Sequence, residues 1–511
     1  GDSYELYAWD TIKGSDFLAD QDVVWRFVNE ISKEILLLDH WGIPWTRTPD
    51  GKICQRDFGG HSYPRPVFAA DKTGFFEMRT LYDRIQKYDN IEKYPEWFVT
   101  SLLIEDKKFQ GLTAINMQTG EMVLFKGRAC IIATGGTGRL YSFTTYSHTA
   151  TGDGLAIAYK AGLPLKDMEF IQFHPTGLVP SGILISEGAR GEGGYLVNNK
   201  GERFMSKYAP EKMELAPRDV ISRSIITEIQ KDLGYKGPNG LDYVHLDLTH
   251  LGAERINERL PLIREVGLRF IGLDPITESL PIRPAAHYSM GGISTDIEGA
   301  TKVTGIWAAG EAACLSLHGA NRLGTNSTAE CLLWGAITGR QVAEYLKTVK
   351  YELKLSGSSE TVKTEERRLF DKILGSKGDE NLYKIRDELT NTMDAKVGVF
   401  RTGEKLEAAL KKVRELKSRL KKIRIEDKSH IYNTELINAL ELENMLDIAE
   451  IVVMSALART ESRGAHSRVD YSHRNDEKWL KHSLAYCSEQ GPRFEYSPVN
   501  ITIWKPAERK Y

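Results

Sequence analysis

The sequence lacks any apolar run near the ~20 residues that a membrane-spanning helix needs. The longest candidate run, at 451–458, is far too short, so any membrane association must come through a partner protein. No signal peptide is evident, and the chain opens on Gly1 rather than on methionine. We therefore expect a chain that does not itself enter the bilayer.

Cysteine is scarce, with five in 511 residues, widely spaced and never in a CxxC pair. This scarcity predicts a reducing compartment and argues against a zinc site or an iron–sulfur cluster within this chain. The 68 lysines and arginines nearly balance 70 acidic residues, so nothing points to nucleic acid as a general partner. A hydrophobic content of 41% is ordinary for a soluble globular protein, and the length predicts roughly two to four domains.

Two apolar strands end in glycine, as strands do beside a nucleotide site in a doubly wound sheet. The first, at 129–133, stops at Gly135-Gly136. The second, at 303–309, stops at Gly310-Glu311, where an acid could accept a hydrogen bond from a ribose hydroxyl. Asp153, between two glycines, could cap the following helix or bind a hydroxyl, and capping is the favoured interpretation.

Elsewhere the apolar pattern predicts ordinary elements. Strands of a β-meander are predicted at 98–103, 111–117 and 122–126. Apolar residues at helical spacing predict long helices at 404–425 and 435–459. The tail after 460 is irregular, with strand-like pieces at 494–496 and 501–504. Residues 58–61 predict a loop reaching toward a site, with His61 itself on the surface.

A glycine-rich stretch from His174 to Gly194 holds polar side chains at fixed offsets, namely His174, Ser186, Glu187, Arg190 and Glu192. So much glycine around polar side chains indicates backbone lying close to a bound molecule. A glycine-rich loop around a satisfied core histidine explains this stretch, taken alone, equally well. Three distant residues, Arg218, His287 and Arg322, favour a binding site.

Six stretches carry a resemblance to a known family: HPTG at 174–177, SEGARGEGG at 186–194, APRD at 216–219, RPAAHYSMGG at 283–292, HGANRLGTNS at 318–327 and ESRGAHSR at 461–468. With them the chain closely resembles the flavoprotein subunit of succinate dehydrogenase and fumarate reductase, the complex II family. The stretches run in the family's order with family-like spacing, which is far more specific than a lone glycine motif. FAADKTGF at 68–75 and the C-terminal tail are closer to the fumarate reductase side.

The resemblance implies an α/β fold. It consists of an FAD-binding Rossmann-like domain with an inserted α+β capping domain, followed by a helical domain and an irregular C-terminal domain. The expected boundaries are 1–168 and 287–349 for the two parts of the FAD-binding domain, 169–286 for the capping domain, 350–460 for the helical domain and 461–511 for the C-terminal domain.

Two departures from the family pattern stand out. Family members begin with a GxGxxG turn, an acidic ribose contact and a histidine that usually bonds covalently to FAD, and none of these is in this sequence. A chain lacking the turn would hold FAD poorly, because the pyrophosphate would lose its helix N-terminus. The second departure is small, since Ser186 stands where the family often has threonine and keeps the hydroxyl.

The resemblance implies interconversion of succinate and fumarate by hydride transfer to or from FAD, with the covalent linkage site outside the given sequence. Arg218 is implied as the proton donor or acceptor, with Glu187 and Arg190 as a relay. The implied dicarboxylate contacts are His174, Ser186, Glu187, His287 and Arg322. The implied FAD contacts are Gly135, Gly136, Asp153, Glu311, Asn326, Ser327 and Thr328.

Electrons that reach the flavin must pass on to another redox centre before the next turnover. Because the chain lacks cluster cysteines, the resemblance implies a separate iron–sulfur subunit, then membrane anchor subunits that exchange electrons with quinone. The expected role is electron transport in the tricarboxylic acid cycle or in anaerobic respiration. The expected location is peripheral, on the cytoplasmic side of the inner cell membrane, or on the matrix side in mitochondria.

Two alternatives remain open. L-Aspartate oxidase is a soluble relative with similar HPT, RGEG and HGANR stretches, although it tends to have alanine where this chain has Gly194 and Gly324. A non-catalytic subunit without FAD would explain the missing GxGxxG turn. Against this second alternative, the substrate-site residues are intact, and Arg218 is among them.

Overall fold

The computed structural model describes residues 1–349 and 358–510. Its helices span Tyr4–Gly14, Gln21–His40, Thr73–Ile85, Asp153–Lys160, Arg218–Gln230, Gly252–Arg259, Pro261–Ile271, Asn326–Thr348, Ser358–Glu366, Leu382–Lys396, Gly403–Leu420 and Thr434–Ala458. Single helical turns lie at Gly188–Gly191 and Asp476–Trp479, and Arg367–Leu374 is π-helical. Within the two described ranges, none of the helices combines the length and the apolar character that crossing a bilayer requires.

The strands form several sheets. The predicted meander is confirmed as Trp97–Glu105, Lys108–Asn116 and Met122–Lys126. A four-stranded antiparallel sheet contains, in spatial order, Ile171–Leu178, Leu280–Ser289, Val244–Asp247 and Tyr195–Val197. A five-stranded sheet contains Ala313–Cys314, Gly292–Ser294, Leu165–Lys166, Lys481–Tyr486 and Arg493–Pro498. Two parallel pairs join Cys130–Ile132 to Ile306–Ala308, and Phe400–Arg401 to Ser467–Arg468.

The two predicted glycine-ended strands pair with each other. Cys130 lies opposite Ile306, and the strands run parallel. Parallel strands bring their carboxyl ends to one edge of a sheet, which is where nucleotides bind in such folds. Gly136 and Glu311 meet at this edge, and a Cβ added to Gly136 would clash with the Glu311 carboxylate.

The segment between Leu178 and Ile282 has a hydrophobic core of its own. Fully buried members of this core include Leu196, Phe204, Ile221, Val244 and Leu246. Complete burial of a side chain of this size stabilises a fold by about 1.5–3 kcal/mol. The long strands Ile171–Leu178 and Leu280–Ser289 connect this core to the rest of the molecule, and they carry His174 and His287.

The predicted long helices are confirmed as Gly403–Leu420 and Thr434–Ala458. Thr402 caps the first helix by accepting a hydrogen bond from the backbone N–H of Lys405. The predicted apolar stripe faces inward, as the full burial of Leu406, Val413 and Leu416 shows.

The strand predicted at 501–504 is wrong, because this segment forms no strand. The backbone N–H groups of Thr502, Ile503 and Trp504 instead donate to Oε1 of Gln21, at 3.0, 2.8 and 3.1 Å. The Trp504 ring stacks on Trp25, with 5.7 Å between centroids. One distant side chain therefore supplies the acceptor that a neighbouring strand would otherwise provide.

We expect thermal stability to fall between pH 6.5 and 9 because of His482. This buried ring contacts Asp167 at 2.6 Å and Asp20 at 3.2 Å. Burial alone would lower the pKa of His482, but the two carboxylates raise it from 6.5 to about 9. The folded-state pKa is raised, so this stabilisation is complete below pH 6.5 and is lost as the pH rises through 9. Melting temperatures of wild type and His482→Asn across this range test the prediction, and equal pH slopes would contradict it.

Candidate active site

Glu187 and Arg218 form a buried ion pair at the centre of the predicted site. Arg218 is the first residue of its helix, and Glu187 directly precedes the turn Gly188–Gly191. The Arg218 Nε and Nη2 atoms both lie 2.7 Å from Oε2 of Glu187. The Arg218 Nη1 atom donates to Oε1 of Gln172 at 3.2 Å. The guanidinium is thereby held by two elements that are distant in sequence.

The second oxygen of Glu187 faces the other predicted relay residue. Glu187 Oε1 accepts a hydrogen bond from the Gly59 N–H at 2.7 Å and lies 3.7 Å from Nη2 of Arg190. Burial alone would raise the pKa of Glu187, but Arg218 and Arg190 lower it to about 2. The carboxylate is therefore ionised at neutral pH and lies between the two guanidinium groups.

Two neutral histidines lie side by side on neighbouring strands. The rings of His174 and His287 are 4.9 Å apart between centroids. Burial, followed by the positive charge of Arg218, holds the pKa of both rings well below the usual value. Nδ1 of His174 accepts from the Thr176 backbone N–H at 3.3 Å, which places the ring hydrogen on Nε2. That Nε2 is buried and has no hydrogen-bond partner among the described residues.

Arg322 is a buried cation that lacks a carboxylate partner within the described part of the chain. Its guanidinium lies 4.5 Å from the centroid of the Tyr288 ring, and its Nη1 donates to the Leu323 carbonyl at 3.4 Å. Its Nε has no hydrogen-bond partner among residues 1–349 and 358–510. Burial, followed by the charge of Arg218, lowers the pKa of Arg322 to about 10, so it stays cationic at neutral pH. A desolvated cation of this kind favours an anionic ligand.

One cavity has a volume of about 1140 Å³. Four of the predicted catalytic and dicarboxylate-binding residues line it, namely Ser186, Arg218, His287 and Arg322. His174 adjoins it through its contact with His287. The cavity lining also includes apolar residues such as Val28 and Leu332, together with Ser327 and Thr328. Ligand pockets are typically about 300–1,000 Å³, so this cavity has room for more than a small dicarboxylate.

The cavity also reaches the start of the helix Asn326–Thr348, through Ser327 and Thr328. The first N–H groups of a helix have no partner within it, and the helix dipole makes this end attractive to negative charge. Apolar side chains beside such a helix start fit a flat aromatic ring whose edge carries hydrogen-bond acceptors. The residues at this end therefore fit the flavin part of FAD.

Five predicted FAD contacts lie outside the cavity. Glu311 accepts hydrogen bonds from the Tyr146 hydroxyl and the Ser289 N–H, and burial raises its pKa to about 7. The capping role predicted for Asp153 is wrong, because Asp153 is itself the first residue of its helix, and its carboxylate accepts from Asn444 at 2.7 Å. The remaining three are Gly135, Gly136, both at the strand edge, and Asn326, which accepts from the Tyr7 hydroxyl at 2.8 Å. Their role as FAD contacts stays a prediction.

The expectation of a surface position for His61 is wrong. The residue is only 6% exposed, because its Nε2 donates to the Gly324 carbonyl at 3.1 Å and its Nδ1 accepts from Arg65 at 2.8 Å. Two further site residues escaped sequence reasoning. One is Gln172, which links the two arginines by accepting from Arg218 and donating to the Arg322 carbonyl at 2.7 Å. The other is Gly59, the donor to Glu187.

We expect Gly59→Ala to reduce turnover at least about tenfold. The added Cβ would lie 2.5 Å from Glu187 Oε1 and 3.0 Å from the Ala216 carbonyl, so the carboxylate cannot keep its present position against Arg218. Steady-state turnover at equal flavin content is the measurement. Gly335→Ala is the matched control, because its Cβ would meet nothing within 4 Å. Unchanged turnover in Gly59→Ala would mean that the position of Glu187 does not limit the reaction.

Comparisons with known proteins agree with this site. Residues 1–328 match the family model of the FAD binding domain, and residues 386–511 match that of the fumarate reductase flavoprotein C-terminal region. The Mycobacterium tuberculosis fumarate reductase flavoprotein subunit is 45% identical over 525 residues, which cover 100% of this chain and 90% of that protein. The Rickettsia conorii succinate dehydrogenase flavoprotein subunit is 42% identical over 520 residues, 98% of this chain and 86% of that protein.

Solved structures give the same result. A chain of Escherichia coli quinol fumarate reductase superimposes with a TM-score of 0.95 at 42% identity and covers 99% of this chain and 89% of its own length. The predicted family, fold class, FAD cofactor and oxidoreductase class are thereby confirmed. The chain belongs to the family of succinate dehydrogenase and fumarate reductase flavoprotein subunits, which are FAD-dependent oxidoreductases.

Proposed function

We propose that this chain interconverts succinate and fumarate. One observation carries the proposal: two buried donors, Nε of Arg322 in the cavity lining and Nε2 of His174 beside it, have no hydrogen-bond partner among the described residues. A four-carbon dicarboxylate has two carboxylates and needs two such sets of donors. Relatives named as fumarate reductase and succinate dehydrogenase flavoprotein subunits support the same substrate pair.

In this proposal each end of the substrate has its own donors. Arg322 and His287 hold one carboxylate, and the planar guanidinium can bind it through two parallel hydrogen bonds. His174, Ser186 and the backbone around Glu187 hold the other. Fixing both ends orients and polarises the central carbon–carbon bond, which stabilises carbanion character as it develops. When bound, FAD supplies the hydride chemistry, and its proposed contacts are Ser327, Thr328 and the five residues outside the cavity.

Arg218 is the proposed proton donor or acceptor. It lines the cavity and contacts Glu187, so it lies between substrate and the relay. An arginine side chain releases its proton only with difficulty. A contact of 2.7 Å with an ionised carboxylate offers an immediate proton acceptor, and Arg190 extends the route beyond it.

The proposed partners are an iron–sulfur subunit and, through it, membrane anchor subunits that exchange electrons with quinone. A structure described as quinol-fumarate reductase with menaquinol molecules, at a TM-score of 0.94 and 43% identity, supports exchange with a quinol. The proposed location is peripheral, on the cytoplasmic or matrix side of the membrane. The five domain segments with the boundaries predicted from the sequence are part of the same proposal.

The visible absorption spectrum of the purified protein tests the proposed reaction. Succinate should bleach the oxidised flavin band, and fumarate should restore it, under anaerobic conditions. L-Aspartate should leave the band unchanged. Bleaching by aspartate but not by succinate would favour the aspartate oxidase alternative, and a protein that cannot be loaded with FAD would overturn the proposal.

A further inference from the structure

The C-terminal tail, residues 499–510, lies along the N-terminal region of the chain. The Asn500 N–H donates to Asp20 at 2.7 Å, and residues 502–504 bind Gln21. The Lys13 ammonium donates to the Lys510 carbonyl at 3.0 Å. The tail is thus fixed at several points, on both sides of Arg509.

At its end the tail binds Asp219, the residue that follows Arg218. Arg509 lies 3.0 Å from Oδ2 of Asp219 through Nη1 and 3.2 Å from Oδ1 through Nη2, so both oxygens are held. Arg223 adds a third contact at 3.0 Å. Burial alone would raise the pKa of Asp219, but Arg509 and Arg223 lower it to about 2. The bond therefore joins two full charges away from water, where such a bond is strong.

Arg509 also contacts a second buried aspartate, Asp16. Arg509 Nη1 lies 3.4 Å from Oδ2 of Asp16. Asp16 in turn accepts from the Gly464 N–H and from Arg474, both at 2.8 Å. Arg509 therefore connects the helix of Arg218 to the N-terminal region and to the segment that follows residue 460.

Successive residues on a helix point about 100° apart, so they face different neighbours. Arg218 faces Glu187 and the cavity, whereas Asp219 faces the tail. A rotation of this first turn would move both side chains together. Holding both carboxylate oxygens of Asp219 therefore also fixes where the Arg218 guanidinium lies.

We propose that Arg509 is a positioning residue for proton transfer, and that the C-terminal tail aligns Arg218 through Asp219. The inference rests on the proposed role of Arg218. Arg509 is not among the residues that line the cavity, and its side chain contacts Asp219 and Asp16 instead. Its loss should impair the proton-transfer step while the donors that bind the dicarboxylate stay in place.

The test compares Arg509→Gln with wild type as FAD-loaded protein at equal flavin content. We expect kcat to fall about tenfold or more, with KM for fumarate within a few-fold of wild type. The solvent deuterium isotope effect on kcat should rise, because proton transfer becomes slower relative to the other steps. Arg509→Lys should give intermediate turnover, since a lysine keeps the charge but cannot hold both oxygens.

Two comparisons keep the result decisive. Arg493→Gln is the matched control, because this arginine in the same C-terminal segment pairs with Glu495 at an exposed position and should leave kcat unchanged. A double-mutant cycle with Asp219→Asn should give a combined loss well below the product of the two single losses. If Arg509→Gln folds poorly, the turnover of Arg509→Lys, and a double-mutant cycle of Arg509→Lys with Asp219→Asn, test the inference instead.

Three outcomes would overturn the inference: wild-type kcat in Arg509→Gln, an isotope effect that does not change, or independent losses in the cycle. The role of Arg218 is tested separately by Arg218→Lys. If Arg218→Lys keeps its turnover, the proposed function of Arg218 fails. If Arg218→Lys is inactive while Arg509→Gln behaves like Arg493→Gln, only the role of the tail fails.

Discussion

Arg218→Lys is expected to lose turnover by about a thousandfold while keeping flavin and dicarboxylate binding. The arginine uses three nitrogen atoms, two on Glu187 and one on Gln172, in a fixed planar arrangement. A lysine carries the same charge on one compact ammonium group, so it cannot make both sets of contacts. The charge of the site is preserved, and the geometry for proton transfer is lost.

Steady-state fumarate reduction with a reduced dye measures this loss, and the spectral change of the bound flavin on adding dicarboxylate measures binding. Arg255→Lys is the matched control, since that arginine pairs with Glu192 at a half-exposed position outside the cavity. Turnover near wild type in Arg218→Lys would remove Arg218 from proton transfer. Loss of dicarboxylate binding would make it a binding residue instead.

Much of the site could be predicted from the sequence because it is encoded locally. Glu187 and Arg190 are three residues apart, so one helical turn is enough to bring them together. The one glycine between them, Gly188, marks a close approach, because a Cβ there would lie 2.9 Å from the Arg56 guanidinium. The pairing of the strands that bear His174 and His287 was not predicted from the sequence, and the contact between the two rings is evident only in the fold.

The residues that escaped prediction are those whose partners are remote. Gln172 is an unremarkable strand residue until folding places it between Arg218 and Arg322. Arg509 and Asp219 are 290 residues apart, and neither lies in a pattern that marks an ion pair. The error at 501–504 has a related cause, since alternating apolar residues suit both a strand and an extended segment that a distant glutamine holds.

Arg322→Met is expected to lower the affinity for dicarboxylates by about a hundredfold or more. Removing one partner of a buried charge pair costs about 2–5 kcal/mol, and each 1.4 kcal/mol is a factor of ten in affinity. The same change should raise the melting temperature of the ligand-free protein. Without ligand Arg322 is a buried cation that lacks a carboxylate partner in the described part of the chain, whereas methionine of similar length is apolar.

The two opposite effects distinguish a binding residue from a structural one. Wild type should gain thermal stability when succinate is added, because a ligand that binds only the folded state stabilises it. Arg322→Met should start from a higher melting temperature and gain almost nothing. Arg283→Met is the matched control: Arg283 lies on the same strand as His287, covers the Phe143 ring at 5.5 Å and does not line the cavity. A destabilised Arg322→Met that still responds fully to succinate would mean that Arg322 supports the fold, and the dicarboxylate would then need another cation.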